Sequence, residues 1–175
     1  EPLELFGNDV DANIFYRTLG PGYIAEVFRL AHELDPEARL CLNEALLTYV
    51  EDNARTDALV ALVQGLVEEG VPLHVVGLQG HFTSLNAAPQ RARIEALLHR
   101  FTELGVDVEL TELDISVRYF SGPTPFDEQA VAYADVTSAC LAVDGCRSIT
   151  VWGVRDDESW LDTYSLFRGR APHTP

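Results

Sequence analysis

Val108-Glu109-Leu110-Thr111-Glu112-Leu113-Asp114-Ile115 is an apolar-rich, strand-like run that delivers two carboxylates, Glu112 and Asp114, at its C-terminal end. In an α/β barrel the C-terminal ends of the strands carry the chemistry, so acidic side chains there read as catalytic rather than stabilising. By strict alternation Glu112 shares a face with Val108 and Leu110, while Glu109 and Thr111 take the other. Parity alone does not say which face is the barrel interior.

Working outward, the run is one of four of its kind. Arg39-Leu40-Cys41-Leu42-Asn43 is apolar and ends in Asn43 and Glu44, and Leu73 to Gln79 ends in Gln79, Gly80 and His81. Ser148 to Trp152 ends in Gly153-Val154-Arg155-Asp156-Asp157. Short apolar runs with polar endings suit buried parallel strands.

Helical periodicity fills the gaps. Ile24, Val27, Phe28, Ala31 and Leu34 recur at helical spacing between Gly20-Pro21 and Asp35-Pro36. Thr56 is placed to cap a second helix with Leu59, Leu62, Val63 and Leu66 on one face and Gly70 at its end. A third has Pro89 as its expected first residue, then Ile94, Leu97, Leu98, Phe101 and Leu104, with Gly105 after the last turn. A fourth is predicted from about Asp127 to Val143. From Glu1 to about Leu19 there is little periodicity, and Gly7-Asn8-Asp9 with Asp11-Ala12-Asn13 reads as an exposed loop.

Strand centres near Leu40, Val75, Val108 and Ile149 fall 35, 33 and 41 residues apart. Strands alternating with helices at that spacing are consecutive βα units of an all-parallel sheet with right-handed crossovers. A closed eight-stranded barrel needs about 250 residues, and this chain has 175. No G-x-G-x-x-G or Walker pattern follows any strand, which disfavours a nucleotide-binding open sheet. The polar endings point to one shared rim, as on the catalytic face of a (β/α)8 TIM barrel of which four strands are present.

Composition excludes other classes. The 47% hydrophobic content supports a core, and no apolar run is long enough to cross a bilayer. There is no lysine, since Arg supplies all 12 positive charges, so no Schiff-base or pyridoxal-phosphate lysine lies in this stretch. A net charge of -16 repels phosphate backbones and anionic lipid, so neither nucleic acid nor a membrane surface is expected as a partner. With no Met and no signal segment, the chain is expected to be an internal piece of a longer precursor. No G-x-S-x-G elbow or cysteine protease pattern supports serine or thiol catalysis.

The three cysteines have no C-x-x-C spacing. Cys140 and Cys146 bracket a loop short enough to be bridged, with two buried free thiols as the alternative, and Cys41 is expected to be inert core.

The chemistry-bearing candidates are Glu112, His81, Gln79 and Asp114. Glu112 reads as a nucleophile or base, with a rim carboxylate held by arginine as the structural alternative. His81 is placed to donate to Glu112, and Asp114 to orient His81. A metal set of His81, Glu112 and Asp114 lacks any H-x-H or H-E-x-x-H spacing, so no metal is expected. Trp152 and Trp160, beyond the last strand, offer flat faces for sugar rings amid acidic residues.

Taken together, Gly77-Leu78-Gln79-Gly80-His81, Thr111-Glu112-Leu113-Asp114, and Ile149 to Val154 followed by Asp157-Glu158-Ser159-Trp160 resemble glycoside hydrolase family 10, the retaining endo-β-1,4-xylanases. The resemblance spans roughly residues 1 to 167. It implies that residues 1–175 are the C-terminal part of a single (β/α)8 catalytic domain, covering about strands 5–8. It places the nucleophile on Glu112 and the acid/base on Glu1, although the Asn that precedes the family's acid/base is absent. Asn43-Glu44 is a rival Asn-Glu pair one strand later. It falls at the family's strand-five tip, where Ala45 and Leu46 replace the usual aromatic residue.

The same resemblance gives Gln79, His81, Asn43, Trp152 and Trp160 substrate-binding or nucleophile-holding roles, and pairs Cys140 with Cys146. It implies xylan or xylo-oligosaccharide as partner, no cofactor, a secreted, extracellular location and a monomer when complete. Two other functions stay open: an inactive carbohydrate-binding remnant of such a barrel, and a metal-dependent barrel enzyme. Four strands leave open sheet edges, so the isolated piece is expected to be inactive or poorly folded.

Overall fold

The computed structural model describes residues 14–45, 54–82, 89–117, 120, 122–155 and 159–160. Helices α1 (Ile14–Leu19) and α2 (Tyr23–Leu34) precede β1 (Cys41–Glu44), and α3 (Ala54–Glu68) leads to β2 (Val75–Leu78) and a two-residue strand β3 (His81–Phe82). Then come α4 (Arg91–Thr102), β4 (Asp107–Ile115), α5 (Pro125–Ala142) and β5 (Cys146–Val151). The expected loop from Gly7 to Asn13 lies outside the described residues. Helix α1 was not anticipated, because six residues are too few to show a period.

The sheet is parallel at every pairing among the described residues, in the order β1, β2, β4, β5, with β3 continuing the β2 side of β4. The run predicted from Leu73 to Gln79 gives β2, and β3 lies beyond its end, across a break at Gln79-Gly80. Gly80 has a φ of 82°, a left-handed conformation open to glycine, and it sits against the backbone of Leu113.

Helices α3, α4 and α5 pack side by side on one face of the sheet. Leu59, Val63 and Leu66 of α3, Ile94, Leu98 and Phe101 of α4, and Ala132, Val136 and Ala139 of α5 meet Val76, Leu78, Val108 and Leu110 from the strands. Each such Val, Leu or Phe side chain contributes about 1.5–3 kcal/mol on burial.

The local signals were read with small offsets. Gly70 ends the α3 segment as expected, where Val71 N–H donates to Leu66 and Gly70 N–H to Val67, the paired bonds of a Schellman stop. Thr56 is not a cap; it is the third residue of α3 and buried in its first turn. Pro89 lies one residue before the N-cap Gln90 of α4, whereas Pro125 occupies the first turn of α5. On α2 only Ile24 and Ala25 are buried, while Val27 and Leu34 are exposed, because α2 precedes a border strand with few described neighbours. Cys41, expected in the core, is exposed: it lies on the face of β1 opposite the helices.

Strand β4 carries the feature that decides the site. Its register runs from Leu110 opposite Ile149 to Leu113 opposite Val151, so β4 holds one residue more than β5 over that interval. Against β2 and β3 it gains one residue as well, from Leu110 opposite Leu78 to Asp114 opposite His81. The core face accordingly switches from Val108 and Leu110 to Leu113 and Ile115. This bulge turns Glu112 away from the face of Val108 and Leu110, correcting the alternation drawn from sequence, and puts it beside Thr111 on the face opposite the helices.

Candidate active site

Bulge geometry places Thr111 and Glu112 both within reach of Asn43 at the end of β1. Asn43 Nδ2 donates to Glu112 Oε1 at 3.1 Å, and Thr111 Oγ1 donates to Asn43 Oδ1 at 2.7 Å. The other oxygen, Oε2, lies 3.2 Å from His81 Nε2, and His81 Nδ1 lies 2.9 Å from Asp114 Oδ1. Each Glu112 oxygen therefore has one partner, which fixes the plane of the carboxylate, and each keeps a second lone pair. Gln79 contributes through its backbone, whose carbonyl accepts the Glu112 N–H at 2.9 Å, and its side chain is buried.

Asp114 also accepts the indole N–H of Trp160 at 2.6 Å. Trp160 and Trp152 stand edge-on to the His81 ring, with centroids 5.0 and 6.2 Å away, and Trp152 is half exposed beside the carboxylates. The backbone N–H of Trp152 donates to the Leu113 carbonyl at 3.0 Å. Asn43, His81, Glu112, Asp114 and Trp152 thus form one cluster at the C-terminal ends of parallel strands, as the strand endings foretold, and Trp160 joins it from beyond β5.

Burial is the largest single influence on His81 and on its own would lower its pKa. The hydrogen bond and charge of Asp114, joined by the charge and hydrogen bond of Glu112, outweigh it and raise the pKa above the ordinary 6.5. A folded-state pKa above the unfolded one means that the folded chain holds the proton more tightly. The stability contributed by His81 is then complete below about pH 6.5 and is lost as pH rises through the raised value. In urea titrations across that range, the stability gap between the protein and its His81→Gln variant should narrow toward alkaline pH; a constant gap would contradict the charged bridge.

Both ring nitrogens of His81 face carboxylates, so the three residues of the alternative metal reading meet as a hydrogen-bonded bridge. Among the described residues no group of three or more His, Cys, Asp or Glu is arranged to hold a metal ion.

The rival Asn-Glu pair separates. Asn43 belongs to the cluster, but Glu44 points to the opposite, core face, is fully buried, and pairs with Arg55 at 2.5 Å. A carboxylate so enclosed has no access to a sugar. Glu1, Asp157 and Glu158 lie outside the described residues. Cys140 and Cys146 form a disulfide, Cα to Cα 5.3 Å, tying the end of α5 to the start of β5. Thr111 and Arg55 were missed as contributors: the first was assigned to the opposite face from Glu112, and no spacing signals the second.

Comparison with known proteins converges on one family. The chain is 38% identical over 159 residues to endo-1,4-beta-xylanase 1 of Humicola insolens, covering 87% of this chain and 35% of that protein. Its fold superposes on native xylanase 10B from Thermotoga maritima with a TM-score of 0.83 at 27% identity, over 94% of this chain and 50% of that one. It also superposes on TsXylA, an intracellular xylanase from Thermoanaerobacterium saccharolyticum, in a mutant's complex with xylotetraose, with a TM-score of 0.80, 28% identity, and 92% and 48% coverage. The chain spans about half the length, or less, of these proteins. The parallel βα units are therefore part of a (β/α)8 barrel. The model of glycosyl hydrolase family 10 matches residues 1–173, and with a carboxylate, histidine and tryptophan cluster at the strand ends behind that match, the chain belongs to glycosyl hydrolase family 10.

Proposed function

We propose that residues 1–175 are the C-terminal part of a single catalytic domain, that of a retaining endo-β-1,4-xylanase. The observation that carries this reading is Glu112, held at one oxygen by Asn43 and at the other by His81 beside two tryptophans. A double displacement asks for such a carboxylate. One Glu112 oxygen attacks the anomeric carbon of a xylosyl unit as the bond to the leaving oxygen breaks, and the acid/base protonates that oxygen. The acid/base, now a carboxylate, takes a proton from water, which attacks the anomeric carbon and releases Glu112.

Charge balance supports the role of Asp114. When Glu112 becomes a neutral ester, protonated His81 keeps a counter-ion in Asp114 and does not become an isolated buried cation. Trp152 and Trp160 stack on the sugar bound ahead of the scissile bond, and Asn43 and His81 hold the nucleophile. Glu1 is the acid/base; its place in the sequence, two strands ahead of the strand of Glu112, supports this assignment. Xylan or xylo-oligosaccharide is the substrate, no cofactor is needed, and the complete protein acts as a monomer. The Cys140–Cys146 disulfide supports a secreted, extracellular location.

A mechanism-based 2-fluoro-xyloside, given to the full-length protein, is expected to label Glu112 stoichiometrically, as read by peptide mass mapping. A label on another carboxylate rejects the assignment. Sugar binding with neither label nor turnover favours the non-hydrolytic remnant.

A further inference from the structure

The contact between Asn43 and Thr111 joins β1 to β4 across the strand that lies between them. Residue 77 of β2 is in register with Asn43 on one side and Glu109 on the other, so any side chain there would stand in the path. It is glycine. A Cβ added at Gly77 would lie 2.5 Å from Asn43 Oδ1, closer than real Cβ atoms sit, and in tight contact with Thr111 Cγ2 and Cys41 Sγ, each at 3.0 Å. The slot left by Gly77 is what lets the two side chains meet.

Chemistry gives the contact a direction. A carboxylate only accepts, so Glu112 selects the amide N–H of Asn43 and turns the amide carbonyl toward β4. That carbonyl needs a donor, and the Thr111 hydroxyl supplies it at 2.7 Å. Without it, the orientation that serves Glu112 leaves a part-buried carbonyl against methyl groups, and the amide loses its anchor.

We propose that Thr111 is a positioning residue for Glu112, acting through Asn43 across the slot left by Gly77. This rests on Glu112 being the nucleophile. The Thr111 hydroxyl donates to Asn43 and not to Glu112; it holds the group that holds the carboxylate, and a small misplacement of a reacting atom is costly.

The test compares Thr111→Val, Thr111→Ser and Gly77→Ala in the full-length protein with the 2-fluoro-xyloside and an aryl xylobioside. Thr111→Val is expected to lower kcat about tenfold with KM within about twofold, and to slow inactivation in parallel, while the label still lands on Glu112. Thr111→Ser, which keeps the hydroxyl, is expected to recover most of the rate. Gly77→Ala is expected to match or exceed the loss in Thr111→Val. Wild-type kinetics in Thr111→Val, or a serine variant no better than the valine one, overturns the positioning role while leaving Glu112 as nucleophile. A label away from Glu112 in the unmodified protein overturns both.

Discussion

Replacing Glu112 by Gln in the full-length protein is expected to lower kcat on xylan by about 10⁵-fold, the order lost when a covalent nucleophile is removed. Gln keeps the shape of Glu but has one oxygen in place of two acceptors. Asn43 Nδ2 and His81 Nε2 both point at the side chain, so one of them must then face an amide NH₂. Binding of xylo-oligosaccharide should persist, because the tryptophan faces remain. The sharper control is Glu112→Ala with azide, a small anion that fits the vacated volume. It should restore turnover of an activated aryl xyloside and give a glycosyl azide of inverted anomeric configuration, since only one displacement occurs. A Gln variant that retains a tenth of wild-type activity would remove Glu112 from the chemistry.

Removing the arginine beneath the site is expected to have the largest effect on stability. The Glu44 side chain is 0% exposed and that of Arg55 6%, and the two meet at 2.5 Å. The same Glu44 oxygen accepts the Ala45 N–H at 2.8 Å, and Arg55 Nε donates to the Ala45 carbonyl at 3.1 Å. Arg55→Met strips a buried carboxylate of its counter-ion, a change that costs about 3–5 kcal/mol. The double replacement Glu44→Gln with Arg55→Met should recover much of that loss, because the penalty belongs to the unpaired charge. Urea unfolding of both variants measures this; a cost below about 1 kcal/mol in the single variant would show the pair to be solvent-screened. Since Glu44 follows Asn43 on β1, the single variant should also lose activity at temperatures where it remains folded.

The element order was legible because it rests on local patterns. Apolar runs with polar ends, helical spacing such as Ile94, Leu97, Leu98 and Phe101, and the Gly70 stop are properties of short windows. The strand endings likewise foretold that Asn43, His81, Glu112, Asp114 and Trp152 would share a rim. Legibility failed at α1, too short for a period, at the Gln79-Gly80 break that splits β2 from β3, and at Cys41, whose exposure depends on what covers a border strand. Thr56 misled because a residue suited to capping also tolerates a buried first turn.

By itself the sequence determined a parallel βα array, the run that carries the nucleophile candidate, and the family to which its motifs belong. The tertiary structure decided which way Glu112 faces. Alternation is a rule within one strand, but the bulge in β4 arises from pairing with β2, β3 and β5, whose partner residues lie 30 or more positions away. The same holds for Glu44, sequestered by Arg55, and for Asn43 and Thr111, which meet across Gly77. A hydrogen bond depends on distance in space, and these distances exist only once the strands are laid side by side.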